Sequence, residues 1–349
     1  LPYPLRRRLR PLLAAAWLGL TAAASHAAPP LQVKPLAYRG TMPYVEGGGE
    51  RVAERINTLL YMEMLDLPPP RRLQEGLHPP APAEGAHPPA DIEFTVHRND
   101  ERLLTLTIRA EGCGAYCETY TNLFNFDAAS GRNVGATDLF TPAGVKHVLS
   151  TLERQRVARI KAEIARLTRE FAAARRAGKA RSPGALDDES FTAAIDMYER
   201  CAALVTDADM RRHRTIDSEQ VLIGKAGITF MQGRCSNHAM RALDDLGDIA
   251  TDWSFTDLAP HLNAYGRALL LGEGDARPTA GPYRQVLTGK VGSAPITLRL
   301  GNRHADGSVS GAYFYNKYRI SIPLGGRVAG NQLTLEEYTS RDKPAPGIR

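Results

Sequence analysis

The sequence predicts an α+β protein: an antiparallel sheet packed with helices, one of them long, followed by a β-rich antiparallel meander. Three observations carry this. Apolar residues alternate in short pairs of runs around residues 92–126, they change to a helical period from Thr141 onward, and they return to alternation from Tyr283 to the end. Runs of strands and helices in separate blocks, without strict β-α alternation, belong to the α+β class.

The chain opens with Arg6, Arg7, Arg8 and Arg10, an apolar run over residues 12–24, and small residues around Ser25-His26-Ala27. This is the layout of a cleavable secretion signal over residues 1–27, and its apolar part is about half the roughly 20 residues that a membrane span needs. A periplasmic or secreted protein is therefore expected, not membrane-spanning after signal cleavage. The formal net charge of +6 includes the four leader arginines, which leaves +2 on the mature chain. Nucleic acid is not an expected partner. Ten of the remaining cations fall between Arg154 and Arg181, where they read as the solvated face of a helix.

Residues 49–65 place Val52, Ile56, Leu59 and Leu60 at helical spacing, and Pro68-Pro69-Pro70 ends that helix. A Pro-rich exposed loop follows over residues 68–90. Ile92, Phe94 and Val96 then alternate, turn at Asn99-Asp100, and return through Leu103, Leu104, Leu106 and Ile108 as a hairpin. A second strand pair is expected from 120–126 and 133–136, turned at Ser130-Gly131. Thr141 with Pro142 caps a long helix reaching Phe171, and a second helix is expected over 188–204. Residues 221–223 and 228–231 read as another hairpin, and 256–270 as one helix. A Gly/Pro-rich stretch, 272–282, marks a boundary between a domain of residues 28–271 and a C-terminal module of 283–349. That module holds five short strands near 285–291, 296–300, 309–315, 320–324 and 333–338. No closing element follows the last, so the natural protein is expected to run further.

Cys113, Cys117, Cys201 and Cys235 are an even set in an exported chain, which favours two disulfides. In one extended strand Cys113 and Cys117 would lie roughly 13 Å apart, beyond the about 4.4 to 6.8 Å that a bridge tolerates. Gly112 and Gly114 bend the chain there, so Cys113 is expected to pair with Cys117 and Cys201 with Cys235.

The turn and helix of 44–60, with Arg55-Ile56-Asn57, the run Gly114-Ala115-Tyr116, then Asn125-Phe126-Asp127, Gly131-Arg132 and Asp138-Leu139-Phe140, and the later stretch 228–270 together form a pattern. It resembles the exported ectodomain of the lysozyme-sensing anti-sigma-V factor (RsiV-like) family, a bacterial domain of unknown function, over roughly residues 41–271. The resemblance implies a binding ectodomain; in that family it is implicated in binding lysozyme, and a similar domain precedes the catalytic domain of a peptidoglycan deacetylase. The family's Gly-Gly-Ala-His is here Cys113-Gly114-Ala115-Tyr116-Cys117, which places Tyr116 at the tip of a closed loop as a candidate docking residue.

Neither Gly-x-Ser-x-Gly, His-Glu-x-x-His nor a phosphate loop occurs, and no catalytic residue, metal or cofactor is assigned. Cys235-Ser236-Asn237-His238 with Asp244 and Asp245 is the most ligand-like run, but a bridged cysteine offers no thiolate. Tyr313 and Tyr315 share one face of a predicted strand, Phe314 the other, and the tyrosine pair is the second candidate binding feature. The resulting expectation is a non-catalytic binding or sensing protein of the cell envelope, its partner an envelope protein or a glycan. The competing expectation is a peptidoglycan hydrolase whose catalytic residues follow an unrecognised pattern.

Overall fold

A computed structural model describes residues 30–49, 51–78, 88–113, 117–177, 186–278, 281–304 and 306–338. The expected leader, residues 1–27, lies outside them. The chain is α+β, with helices, three small antiparallel sheets, and a five-stranded antiparallel sheet at the C-terminal end.

The first unit is a hairpin of β1 (Gln32–Ala37) and β2 (Thr41–Glu46), whose inner face packs on α1 (Val52–Leu65). The turn at Arg39-Gly40 carries no familiar hairpin dipeptide, so the sequence does not announce this hairpin. Asn57 ties helix to hairpin: its Nδ2 donates to Val45 O and its Oδ1 accepts from Val45 N–H, both at 2.8 Å. Gly40 bridges to Ile92, which joins the hairpin to β3 (Ala90–Asn99).

β3 pairs with β4 (Leu103–Cys113), and β4 with β5 (Cys117–Asp127). The expected pairing of 120–126 with 133–136 is corrected here. β5 runs its whole length along β4, and only a single bridge, Phe126 to Asn133, survives from the expected pair. Leu104, Leu106, Ile108, Phe124 and Phe126 are buried with the α1 stripe in one core, each such side chain stabilising by about 1.5 to 3 kcal/mol.

After the short α2 (Ala136–Leu139), Thr141 Oγ1 accepts from Gly144 N–H at 3.0 Å and opens α3 (Pro142–Ala177), 36 residues long. Its arginines are mostly exposed, as the charge pattern predicted, with Arg156 and Arg166 half-buried exceptions. α4 (Asp188–Thr206) packs antiparallel on the distal half of α3 through Ile160, Leu167, Phe191, Ala194 and Tyr198, and α5 (Ala208–His213) follows. β6 (Gln220–Ile223) and β7 (Gly227–Met231) form the expected hairpin, extended by an unanticipated third strand, β8 (Ala250–Ser254). The single helix expected over 256–270 is broken into α6 (Phe255–Leu258), a 3-10 turn and α7 (Ala264–Leu271), because Pro260 and the cap residue Asn263 interrupt it.

The last five strands are β9 (Val286–Val291), β10 (Ala294–Arg303), β11 (Ser308–Tyr315), β12 (Ile322–Ala329) and β13 (Gln332–Glu337), paired in simple sequence order as the meander predicted. Met62 of α1 packs with Ala312 and Phe314 of β11 in a small core of its own. Polar contacts reinforce this docking: Arg299 pairs with Glu63, and Arg319 donates to Pro69 O. At the centre, Arg284 Nη1 reaches Asp138 Oδ2 at 3.0 Å and its Nη2 reaches Asp217 at 2.5 Å. The guanidinium packs against Gly135, where a Cβ would sit 1.6 Å from Nη1.

Candidate functional site

The residues of the Asn-Phe-Asp run hold the scaffold together. Asn125 is buried between two sheets: its Nδ2 donates to Val221 O at 2.8 Å and its Oδ1 accepts from Ile223 N–H at 2.9 Å. Phe126 fills the first core, and Asp127 accepts from the Ala129 N–H at 2.8 Å and from the Tyr265 hydroxyl at 2.9 Å. The turn it shapes needs a left-handed residue, and Gly131 supplies it at φ 72°. Burial, with the Asp127 carboxylate beside it, pushes the Tyr265 hydroxyl far above the usual tyrosine range, so it stays a donor.

Both disulfides form as expected. Cys113 and Cys117 face each other across β4 and β5 with Cα atoms 4.0 Å apart, and Cys201 of α4 meets Cys235 at 5.5 Å. Tyr116 lies outside the described residues. Among these, Glu111, Cys113 and Cys117 are one convergent group of ligand-type side chains, but its two sulfurs are spent on each other. Of the ligand-like run near Cys235, Asn237 caps a 3-10 turn by accepting from Met240 N–H at 3.0 Å. Asp244 accepts from the Tyr198 hydroxyl at 2.8 Å and the Ser236 N–H at 3.0 Å, and Asp245 pairs with Arg166. Burial works against the Asp244 carboxylate, but these hydrogen bonds outweigh it and hold its pKa below the usual range. Asp187 accepts from Ser190 N–H at 2.7 Å as the cap of α4. These acids serve capping and pairing.

The tyrosine pair is split in its surroundings. Tyr313 is 4% exposed and its hydroxyl donates to Glu337, so its ring is a support. Tyr315 crosses it edge-on at 5.5 Å between centroids and meets Tyr318 in the same way at 6.4 Å. Tyr318 is 64% exposed and Ile320 68%, so the β11–β12 tip presents two large apolar side chains to solvent. Lys317 sits 5.3 Å above the Tyr318 ring. The sequence pattern singles out Tyr313 and Tyr315 rather than Tyr318 and places Ile320 at the start of a strand, although the turn Asn316-Lys317 next to them marks a hairpin tip.

Beside the tip opens a cleft of about 640 Å³, lined by Asn316, Arg319 and Thr297 on one side and by Glu46, Glu54 and Arg71 on the other. Tyr44 forms part of its wall, donating its hydroxyl to Arg71 O at 3.1 Å; burial, then Glu46 and Glu75, raise that hydroxyl above its ordinary range. Arg319 stacks 5.5 Å from the Phe314 ring, where burial lowers its pKa. The cleft has the size of a small-ligand site and a lining of mixed charge rather than a single sign.

Among the described residues no helix is long and apolar enough to cross a membrane. No protein-family model and no curated protein matches the sequence. Among solved structures, the chain is similar to the crystal structure of a DUF3298 family member from Bacteroides fragilis, at 18% identity and a TM-score of 0.28, over 50% of this chain and 53% of that one, so that it spans about half the length of that neighbour.

Proposed function

We propose that this chain is an exported binding or sensing protein of the cell envelope, and that it recognises envelope glycan at the β11–β12 tip. The observation that carries the reading is the tip itself, where exposed Tyr318 and Ile320, with half-buried Tyr315 against the Tyr318 ring, stand beside a polar cleft of about 640 Å³. Sugar rings present an apolar face of C–H groups ringed by hydroxyls. An exposed aromatic ring covers the first, and a cleft rich in amide, hydroxyl and charged groups hydrogen-bonds the second. Two disulfides suit an oxidising compartment outside the cytoplasm. The similarity of the Asn125-Phe126-Asp127 and Asp138-Leu139-Phe140 runs to the RsiV-like ectodomains supports a sensing role, while those residues themselves serve the scaffold.

Co-sedimentation with purified, protein-free peptidoglycan sacculi tests this reading. The mature chain pellets with sacculi and is released by soluble glycan-strand fragments. A chain that stays in the supernatant, and that also binds no soluble fragment, contradicts it.

A further inference from the structure

A second cleft, of about 700 Å³ and sharing no lining residue with the first, lies between α4, α5 and the Cys201–Cys235 bridge. Five arginines line it, Arg156, Arg200, Arg211, Arg214 and Arg234, against a single lining carboxylate, Glu219. Three of these cations are committed. Arg211 pairs with Glu153, Arg214 donates from Nε to Glu219 at 2.9 Å, and Arg234 pairs with Asp248 at 2.8 Å. Two make no ion pair or hydrogen bond among the described residues: Arg200, which is exposed, and Arg156, whose Nε is buried without an acceptor and whose charge is offset only at longer range by Glu219, itself bonded to Arg214. An unmatched guanidinium held in a half-buried wall is costly unless something supplies its acceptors. One stretch of the wall is apolar, made by Met197, Val205, Met240 and the disulfide, with Leu204 60% and Met210 57% exposed beside it. These last two are among the few large apolar side chains that the described surface leaves uncovered. His213, Ser218, Gln232 and Asn237 complete the lining with polar groups.

We propose that this cleft binds an anionic amphiphile, a carboxylate or phosphate monoester on a single alkyl chain, with the headgroup on Arg156 and Arg200 and the chain along Met197, Leu204, Val205 and Met210. Planar guanidinium groups match both headgroups through paired N–H donors. The flexible thioethers of the wall accommodate a linear chain without a fixed shape. This site shares no residue with the β11–β12 tip, so its failure leaves the glycan reading untouched.

The test is calorimetric titration of the disulfide-intact chain with octanoate, octyl phosphate, 1-octanol, acetate and inorganic phosphate, all below micelle-forming concentrations. At least one octyl anion binds tenfold or more tighter than 1-octanol and than its own headgroup alone, and the tighter of the two names the headgroup. Arg156→Leu weakens that binding at least tenfold. Arg200→Gln, at an exposed position that leaves the fold intact, weakens it about threefold or more, while Arg303→Gln on the distant C-terminal sheet leaves it unchanged. Equal binding of 1-octanol, equal binding of acetate or phosphate alone, no binding by either octyl anion, or insensitivity to Arg200→Gln overturns the proposal.

Discussion

Replacing Arg284 by Met should loosen the five-stranded sheet from the rest of the molecule. Arg284 is the hub of that junction: its side chain, 11% exposed, contacts Asp138 and Asp217, and its Nε donates to Asn302 Oδ1 at 2.6 Å. Its backbone also takes part, with Asn133 N–H donating to Arg284 O at 3.0 Å. Removing one partner of a buried pair typically costs about 3 to 5 kcal/mol, because the other charge is left without compensation. Here the cost is reduced. Asp138 keeps Arg132 at 2.9 Å and the Gly135 N–H at 2.9 Å, and Asp217 keeps the Thr137 N–H at 3.3 Å. The expected loss is therefore about 2 to 4 kcal/mol, and Arg284→Lys recovers only part of it, since an ammonium cannot reach both carboxylates as a fork. Urea unfolding measures the loss, and limited proteolysis in the 272–282 connection reports the detached sheet. A loss below about 1 kcal/mol together with unchanged proteolysis would refute the reasoning.

Asn125→Ala leaves Val221 O and Ile223 N–H unpaired between two sheets and should destabilise by about 2 to 4 kcal/mol, read as a drop in thermal midpoint. Cys201→Ser with Cys235→Ser opens a loop of 34 residues and should remove roughly 3 to 4 kcal/mol, clearly more than opening the four-residue loop of Cys113 and Cys117. Acidification should destabilise in two steps. His261 is lowered by burial and by the stacked His147 ring 4.0 Å away, so the folded state binds fewer protons than the unfolded one and stability falls as pH drops from about 6.5 through the folded value. Asp244 and Asp100 are likewise depressed, so their contribution is full above about 4 and is lost below it; urea midpoints from pH 8 to 3 should show both steps, with Asp244→Asn flattening the lower one.

Much of the fold was legible because its signals are local. Period and capping gave α1 and α3 through Val52-Ile56-Leu59 and Thr141-Pro142, α4 matches the helix expected over 188–204, and alternation gave all five strands of the meander. What stayed hidden depends on distant partners. β8 is recognisable only by its pairing with β7, and β5 chose β4 over the nearer residues 133–136 because β4 offers eleven paired positions on a buried face. Arg284 sits in a Gly/Pro-rich connection with nothing nearby to announce that it meets Asp138, 146 residues away. At the candidate site, Tyr315 was visible as an alternating aromatic, whereas the split between Tyr313, buried with its hydroxyl bonded to Glu337 of the last strand, and exposed Tyr318 depends on that distant strand. The cationic cleft was invisible for the same reason, since Arg156 and Arg200 lie on different helices and converge only through the packing of α3 on α4.

The central claim is that the β11–β12 tip recognises glycan, and the most direct test is calorimetric titration of soluble peptidoglycan glycan fragments into the wild-type chain and Tyr318→Ala. Tyr318 makes no buried contact that the fold needs, so the variant should unfold at the same urea concentration as the wild type. Loss of one stacked aromatic should weaken binding about five- to tenfold. Equal affinity of Tyr318→Ala and the wild type, or no heat from either, would contradict the account.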